Sequence, residues 1–163
     1  MVIMVSFRSS SSKVSEIYDP IRKKWVAALP EEVVRQELLQ KMMGLGYPKS
    51  HIAVEKELKE LPHLAAFTTL PERRIDVLCF AHNIHPYFPL YPLLLIECKE
   101  GYLRESAFEQ LMGYNDYVKA PFLAIVTEDT VEVFYNMKNS VQSVRFLPSY
   151  EELLGAVCSQ RKE

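Results

Sequence analysis

Cysteine is scarce in this chain, and no apolar run is long. Three cysteines stand among 163 residues, at positions 79, 98 and 158. Their odd number and wide spacing argue against a disulfide framework and favour reduced thiols, two of them inside strand-like runs, as a reducing cytoplasm would keep them. No apolar stretch approaches the ~20 residues that a membrane-spanning helix needs. The opening "MVIMVSFRSSSSK" has too few apolar residues before Ser6 for a signal-peptide core. Neither sign of charge dominates: 19 Lys and Arg stand against 21 Asp and Glu, for a net charge of -2. That balance argues against a general electrostatic nucleic-acid binder and leaves room for a local basic cleft. Internal repeats are absent, as is low complexity beyond the serines at 9–12. A soluble, cytoplasmic protein is the expectation.

What is present is the composition of a folded domain, with 48% hydrophobic and 25% charged residues, eight phenylalanines and nine tyrosines. The length fits one core. Residues 1–28 read as a leader packing on the domain, anchored by Tyr18, Ile21 and Trp25, and residues 29–163 as the domain itself. Pro30, the two glutamates after it and the spacing of Val34, Leu38 and Met42 predict a helix over about 31–43, stopped by Gly44 and Gly46. "HIAVEKELKEL", "RRIDVLCFA" and "YPLLLIECKE" read as strands, the last central and covered on both faces. Three prolines make "HNIHPYFPLYP" a loop or wide hairpin. "ESAFEQLMGYNDYVKA" is helical, with Ser106 and Glu109 at capping-box spacing, and Ser149 with Glu152 repeats that spacing before a final helix. Between those helices lie two strands and a weaker edge strand. This order implies an α/β fold, a mixed central β-sheet flanked by α-helices, with the middle helix as crossover between parallel neighbours.

The chemistry gathers at "LLLIECKE". Side chains alternate along a strand, so Glu97 and Lys99 share a face. A charge carried into a buried strand needs a partner. If "RRIDVLCF" lies alongside, Asp76 brings a second carboxylate to the same place. Two acids and the backbone carbonyl of Cys98 suit a hard cation such as Mg²⁺, with Mn²⁺ as a substitute. Such an ion would polarise a phosphate oxygen and acidify a bound water, with Lys99 positioning that water or neutralising developing charge. Phosphodiester hydrolysis is the reaction class implied. Gln110 and Tyr114, four apart on one helix face, would contact a nucleotide or hydrogen-bond the catalytic strand. Arg73 and Arg74 are either phosphate contacts or a salt-bridged strand edge. Glu37 or Glu55 is a candidate third acid, and Lys56 with Lys59 a weak basic rim. A zinc site from Cys79, His82, His85 and Cys98 matches no standard finger spacing.

Taken in order, "PEEVVRQELLQKMMGLGYPKSHIAVEKELK", "RRIDVLCF", "PLLLIECKE" and "FEQLMGYNDYVKAPFLAIVTEDTVEVF" resemble the N-terminal nuclease domain of type I restriction enzyme R subunits, in the PD-(D/E)xK nuclease superfamily. The resemblance spans roughly residues 17 to 137. It implies a restriction-endonuclease-like core, with Asp76, Glu97 and Lys99 in the D…ExK positions and Gln110 with Tyr114 as the accompanying QxxxY pair. Three features depart from it. No GxxxxGK[ST] phosphate loop is present, so a stand-alone domain without the ATP-driven translocase, or a relative with another job, is expected. The segment between Asp76 and Glu97 is long and proline-rich. Glu100 and Gly101 follow Lys99 where relatives often have "KAP". Two classes stay open: a Mg²⁺-dependent DNA endonuclease, and a non-catalytic relative that binds nucleic acid or a partner protein of a restriction or DNA-processing system.

Overall fold

The computed structural model describes residues 4–9, 14–101 and 104–160. Two sheets form, a three-stranded one at the N-terminus and a six-stranded one that makes the body. The body strands are β4 (Ile52–Glu57), β5 (Arg74–His82), β6 (Leu90–Cys98), β7 (Phe122–Val126), β8 (Val131–Tyr135) and β9 (Gln142–Val144), side by side in that order. All neighbours run antiparallel except β6 and β7. The parallel pair is joined by helix α2 (Arg104–Val118), because a parallel return needs a crossover.

Both faces of the sheet are covered, which explains the near-continuous apolar run of β6. Helix α1 (Pro30–Gly44) turns Val34, Leu38, Leu39 and Met42 onto one face, where Val77, Leu94, Ile96 and Leu153 and Val157 of helix α3 (Tyr150–Gln160) join them. On the other face α2 lays Ala107, Leu111, Tyr114 and Val118 over Leu78, Leu95 and Leu123. Cys79 and Cys98 are buried free thiols and Cys158 is exposed. No helix among the described residues is long and apolar enough to cross a membrane.

Local signals explain the helix ends, with one exception. Pro30 opens α1 with Glu31 and Glu32 in its first turn. The Ser149 capping box forms, its hydroxyl accepting from the Glu152 N–H at 3.2 Å while Glu152 accepts from the Ser149 N–H at 2.6 Å. The capping box expected at Ser106 does not mark a helix start, because α2 already begins at Arg104. Its other end is closed by Asn115, whose side chain bonds both the N–H and the carbonyl of Ala120, with Lys119 at φ 62° completing the turn.

The N-terminal segment is more than an extended leader. Strands β1 (Phe7–Ser9), β2 (Ser15–Asp19) and β3 (Lys24–Ala27) pair antiparallel into a small sheet. Of the serine run at 9–12, Ser9 ends β1 and residues 10–12 lie outside the described residues. Alternation along β2 turns Ile17 and Asp19 inward and leaves Tyr18 exposed, so the anchor is Ile17 rather than Tyr18. Tyr18 instead meets Trp25 edge-on at 5.4 Å, and Arg8 lies over the Trp25 ring. Ile21 does pack against the main core.

Asp19 ties this sheet to α1. Its carboxylate accepts from Arg22 Nε at 2.5 Å, from Gln36 Nε2 at 2.9 Å and from the Ile21 and Arg22 backbone N–H groups. Burial pushes the Asp19 carboxyl up, but the Arg22 backbone and side chain and the Gln36 amide outweigh it and hold it below its ordinary value. Its stabilisation is therefore present at neutral pH and is lost as pH falls through that lowered value. Removing one member of a buried ionic pair strands the other, so Asp19→Ala should cost about 3–5 kcal/mol in urea denaturation. A loss below about 0.5 kcal/mol, the level of an ordinary surface change, contradicts the tie.

Candidate active site

Three neighbouring strands set three acids in a row. The β5–β6 register pairs Val77 with Ile96, so its next step sets Asp76 opposite Glu97. The β4–β5 register pairs Val54 with Val77 and Lys56 with Ile75, which sets Glu55 opposite Asp76 from the other side. Directly opposed side chains of regular strands share a face about 5 Å apart at Cβ, which sets Asp76 beside Glu97, while Glu55 meets Asp76 through their shared contact with Arg35 Nη2. Asp76 and Glu97 are both buried, at 8% and 3% exposure. Glu55 sits at φ 54°, a left-handed conformation in mid-strand that costs a non-glycine residue about 1–3 kcal/mol. Its carboxylate is held there by Arg35 at 2.9 Å and Arg74 at 3.1 Å.

Cations and donors fix each acid. Asp76 Oδ2 accepts from the backbone N–H of Cys98 at 2.7 Å and Oδ1 from Arg35 Nη2 at 3.1 Å. Glu97 is ion-paired with Lys99 Nζ at 2.8 Å. Lys99 Nζ also donates to Gln110 Oε1 at 3.2 Å, and Gln110 Nε2 donates to the Tyr114 hydroxyl at 3.0 Å. Gln110 thus bonds the residue that follows β6, and Tyr114 reaches it through Gln110. The Arg73 guanidinium lies 5.8 Å from the centre of the Tyr114 ring.

The electrostatics follow from crowding. Burial first, and the charge of Asp76 second, push the Glu97 carboxyl up to about 7 against the pull of Lys99. Partial burial and then Asp76 also raise Glu31, which stands 3.5 Å from Arg35. Burial pulls the Lys99 amine down, but Glu97, Glu31 and Asp76 outweigh it and keep it above its ordinary value. Burial, with help from Asp76, raises the Cys98 thiol so far that it stays protonated.

The donor set is of the kind a hard divalent cation takes, oxygen throughout, although its charge is already largely met from within the protein. Glu31, Glu55, Asp76 and Glu97 are all oxygen donors, and Arg35, Arg74 and Lys99 offset three of those four charges when all are ionised. Among the described residues no three His, Cys, Asp or Glu side chains are placed to hold a metal ion together. Asp76 Oδ1 faces Arg35 and Glu97 Oε1 faces Lys99 instead.

The residues expected from the sequence come together unevenly. Glu97, Lys99, Gln110 and Tyr114 form one connected group, and Asp76 adjoins it through the Cys98 backbone N–H. Of the two candidate third acids, Glu55 joins it, whereas Glu37 is exposed and lines a cavity beside Lys41. Arg74 serves Glu55. Lys56 and Lys59 pair with Glu60 and Glu57 at the surface. The zinc alternative dissolves, since Cys79 and Cys98 lie in the core, His82 packs against His51, and His85 stacks on Tyr91. Arg35, Glu31 and Glu32 were not anticipated. Their signal was a charged residue at position 35, inside the apolar stripe of α1, with acids three and four residues before it.

Comparison with known proteins places the chain in a family and bears on its fold. The family described as "Type I restriction enzyme R protein N terminus (HSDR_N)" matches residues 30–150, from the start of α1 to the start of α3. A solved structure assigned as a fragment of an HsdR subunit of a type I restriction enzyme from Vibrio vulnificus YJ016 is similar at a TM-score of 0.55. The likeness covers 80% of this chain and 26% of that one, so this chain spans about a quarter of its length; at 16% identity it is a likeness of fold. No curated protein matches.

Glu97 gives the site a pH signature. Between its ordinary 4.5 and about 7 the folded chain holds a proton that the unfolded chain has released. The folded state then binds more protons, so Glu97 lowers stability as pH rises through that window. A tenfold difference in proton affinity between the two states corresponds to about 1.4 kcal/mol. The stability of the wild type relative to Glu97→Gln should fall between about pH 5 and about pH 7.5 in urea denaturation; a constant difference contradicts the assignment.

Proposed function

Because the chain belongs to the family of type I restriction enzyme R protein N termini, we propose that it is a Mg²⁺-dependent nuclease module that hydrolyses DNA phosphodiester bonds, with Mn²⁺ as a substitute cation. The observation that carries this reading is a buried acid ion-paired to an amine, Glu97 to Lys99 at 2.8 Å, beside an Asp76 whose Oδ2 is fixed at 2.7 Å by the Cys98 backbone N–H. Asp76 and Glu97, with the backbone carbonyl of Cys98, are the oxygen ligands. When bound, the cation supplies charge to a phosphate oxygen and acidity to a water.

Lys99 stays protonated through neutral pH and presents a fixed positive charge to the phosphate under attack. Gln110 holds that amine at 3.2 Å and is itself held by Tyr114, so both act by fixing Lys99. Arg73 and Arg74, exposed at the start of β5, meet the flanking phosphates. DNA and the other subunits of a restriction system are the partners this role requires, in the cytoplasm where such DNA lies.

One observation favours a second reading, a non-catalytic binding module of the same fold. Arg35 already neutralises Asp76 from within the protein.

Plasmid nicking separates the two. The wild type should nick supercoiled DNA when Mg²⁺ or Mn²⁺ is supplied, and Asp76→Asn, which can still accept the Cys98 N–H, should lower the rate at least about 100-fold. Lys99→Gln should do the same, and Gln110→Leu should cost about tenfold through a loosened Lys99. Equal nicking by the wild type and Asp76→Asn removes the catalytic assignment and leaves binding, measured by gel shift without divalent ions.

A further inference from the structure

Arg35 stands in an unusual place. Its residue is 4% exposed, in the second turn of α1, and its guanidinium is divided between two tasks. Nη1 donates to Glu32 Oε2 at 2.6 Å. Nη2 meets three carboxylates at once, Glu55 at 2.9 Å, Asp76 at 3.1 Å and Glu31 at 3.5 Å. These are the acids whose charges crowd the candidate active site, so Nη2 lies where their fields add. Its Nε, by contrast, is buried with no acceptor among the described residues. A guanidinium has five N–H donors, and a buried one is usually satisfied at all of them. The position of Arg35 is therefore set by the carboxylates it gathers and not by the best bonding of its own fork.

The anchor is firm while the tip is shared. Glu32 Oε1 also accepts from Arg22 Nη2 at 2.5 Å and from Gln36 Nε2 at 2.9 Å, so the residue that holds Nη1 is braced from the N-terminal sheet and from α1 itself. Nη2 has no such single partner: it is shared among three acids, one of which, Asp76, a divalent ion would need.

We propose that Arg35 is the resident counter-ion of this site: its Nη2 holds Glu31, Glu55 and Asp76 together and competes with a divalent cation for Asp76 Oδ1. This rests on the metal-dependent reading above and adds what governs loading. A cation must displace Nη2 from Asp76 to bind there, so Arg35 lowers the affinity of the site while supporting the fold that forms it. Arg35 is in this sense a positioning residue, one that acts through the carboxylates.

The two roles predict changes of opposite sign, which a purely structural arginine does not produce. In the full chain, Arg35→Gln should melt at a lower temperature without metal yet bind Mn²⁺ about tenfold more tightly than the wild type, the scale of removing one unit charge a few ångströms away. Mn²⁺ binding is read by electron paramagnetic resonance and calorimetry, and Asp76→Asn should abolish it. Arg35→Lys keeps a cation without the forked reach, folds with less loss, and should bind Mn²⁺ with an affinity between those of the wild type and Arg35→Gln; it carries the test if Arg35→Gln does not fold. Mn²⁺ affinity unchanged or weaker in a folded Arg35 variant overturns the competition and leaves the nuclease reading standing. No Mn²⁺ binding by any variant, or binding that survives Asp76→Asn, overturns both. Tighter binding in a protein that never nicks DNA supports the competition and overturns the nuclease reading alone.

Discussion

Four carboxylates crowd the junction of α1 with β4, β5 and β6, and their mutual repulsion is the constraint the surrounding structure answers. Strand register brings Asp76 and Glu97 into line, Arg35 and Arg74 hold Glu55 alongside, and the first turn of α1 adds Glu31. Left uncompensated, such a group would protonate or pull the strands apart. The protein compensates it unevenly. Arg35 gathers one side, Lys99 takes the other, and the Cys98 N–H holds the middle. What compensation leaves undone appears at Glu97, whose carboxyl is pushed up to about 7.

The compensation runs well beyond the site. From Asp19 at the end of β2 the chain of contacts passes through Arg22 to Glu32, from Glu32 to Arg35, and from Arg35 to Asp76. Buried ion pairs are a poor source of stability, because taking each charge out of water costs several kcal/mol before pairing returns any of it. Position is what this chain of contacts supplies. A small sheet that shares no strand with the main one thereby helps set where a carboxylate of the candidate active site lies.

Much of this was legible in the sequence, and the exceptions share a cause. Period-two alternation placed Glu97 and Lys99 together, and the flanking strand brought Asp76 to them, because both signals are local and strand pairing is short-range. The four-residue spacing of Gln110 and Tyr114 put them on one helix face, and they bond each other. The role of Arg35 was not legible. It reaches Asp76 across 41 positions of sequence, and the glutamates before it read equally well as ordinary complements to a helix dipole. Glu55 was named as a candidate acid, but its φ of 54° was not, since no glycine or asparagine in "HIAVEKELKEL" marks a left-handed position. Asp19 lay in a segment read as leader, where three short strands were too brief to announce themselves.

The central claim is that Asp76 and Glu97 belong to one hard cation. Anomalous diffraction from crystals soaked in Mn²⁺ tests it most directly. One strong manganese peak bonded to both carboxylates is the expected result. Manganese lodged elsewhere, or absent while the two side chains stay bound to Arg35 and Lys99 at saturating ion, would contradict it.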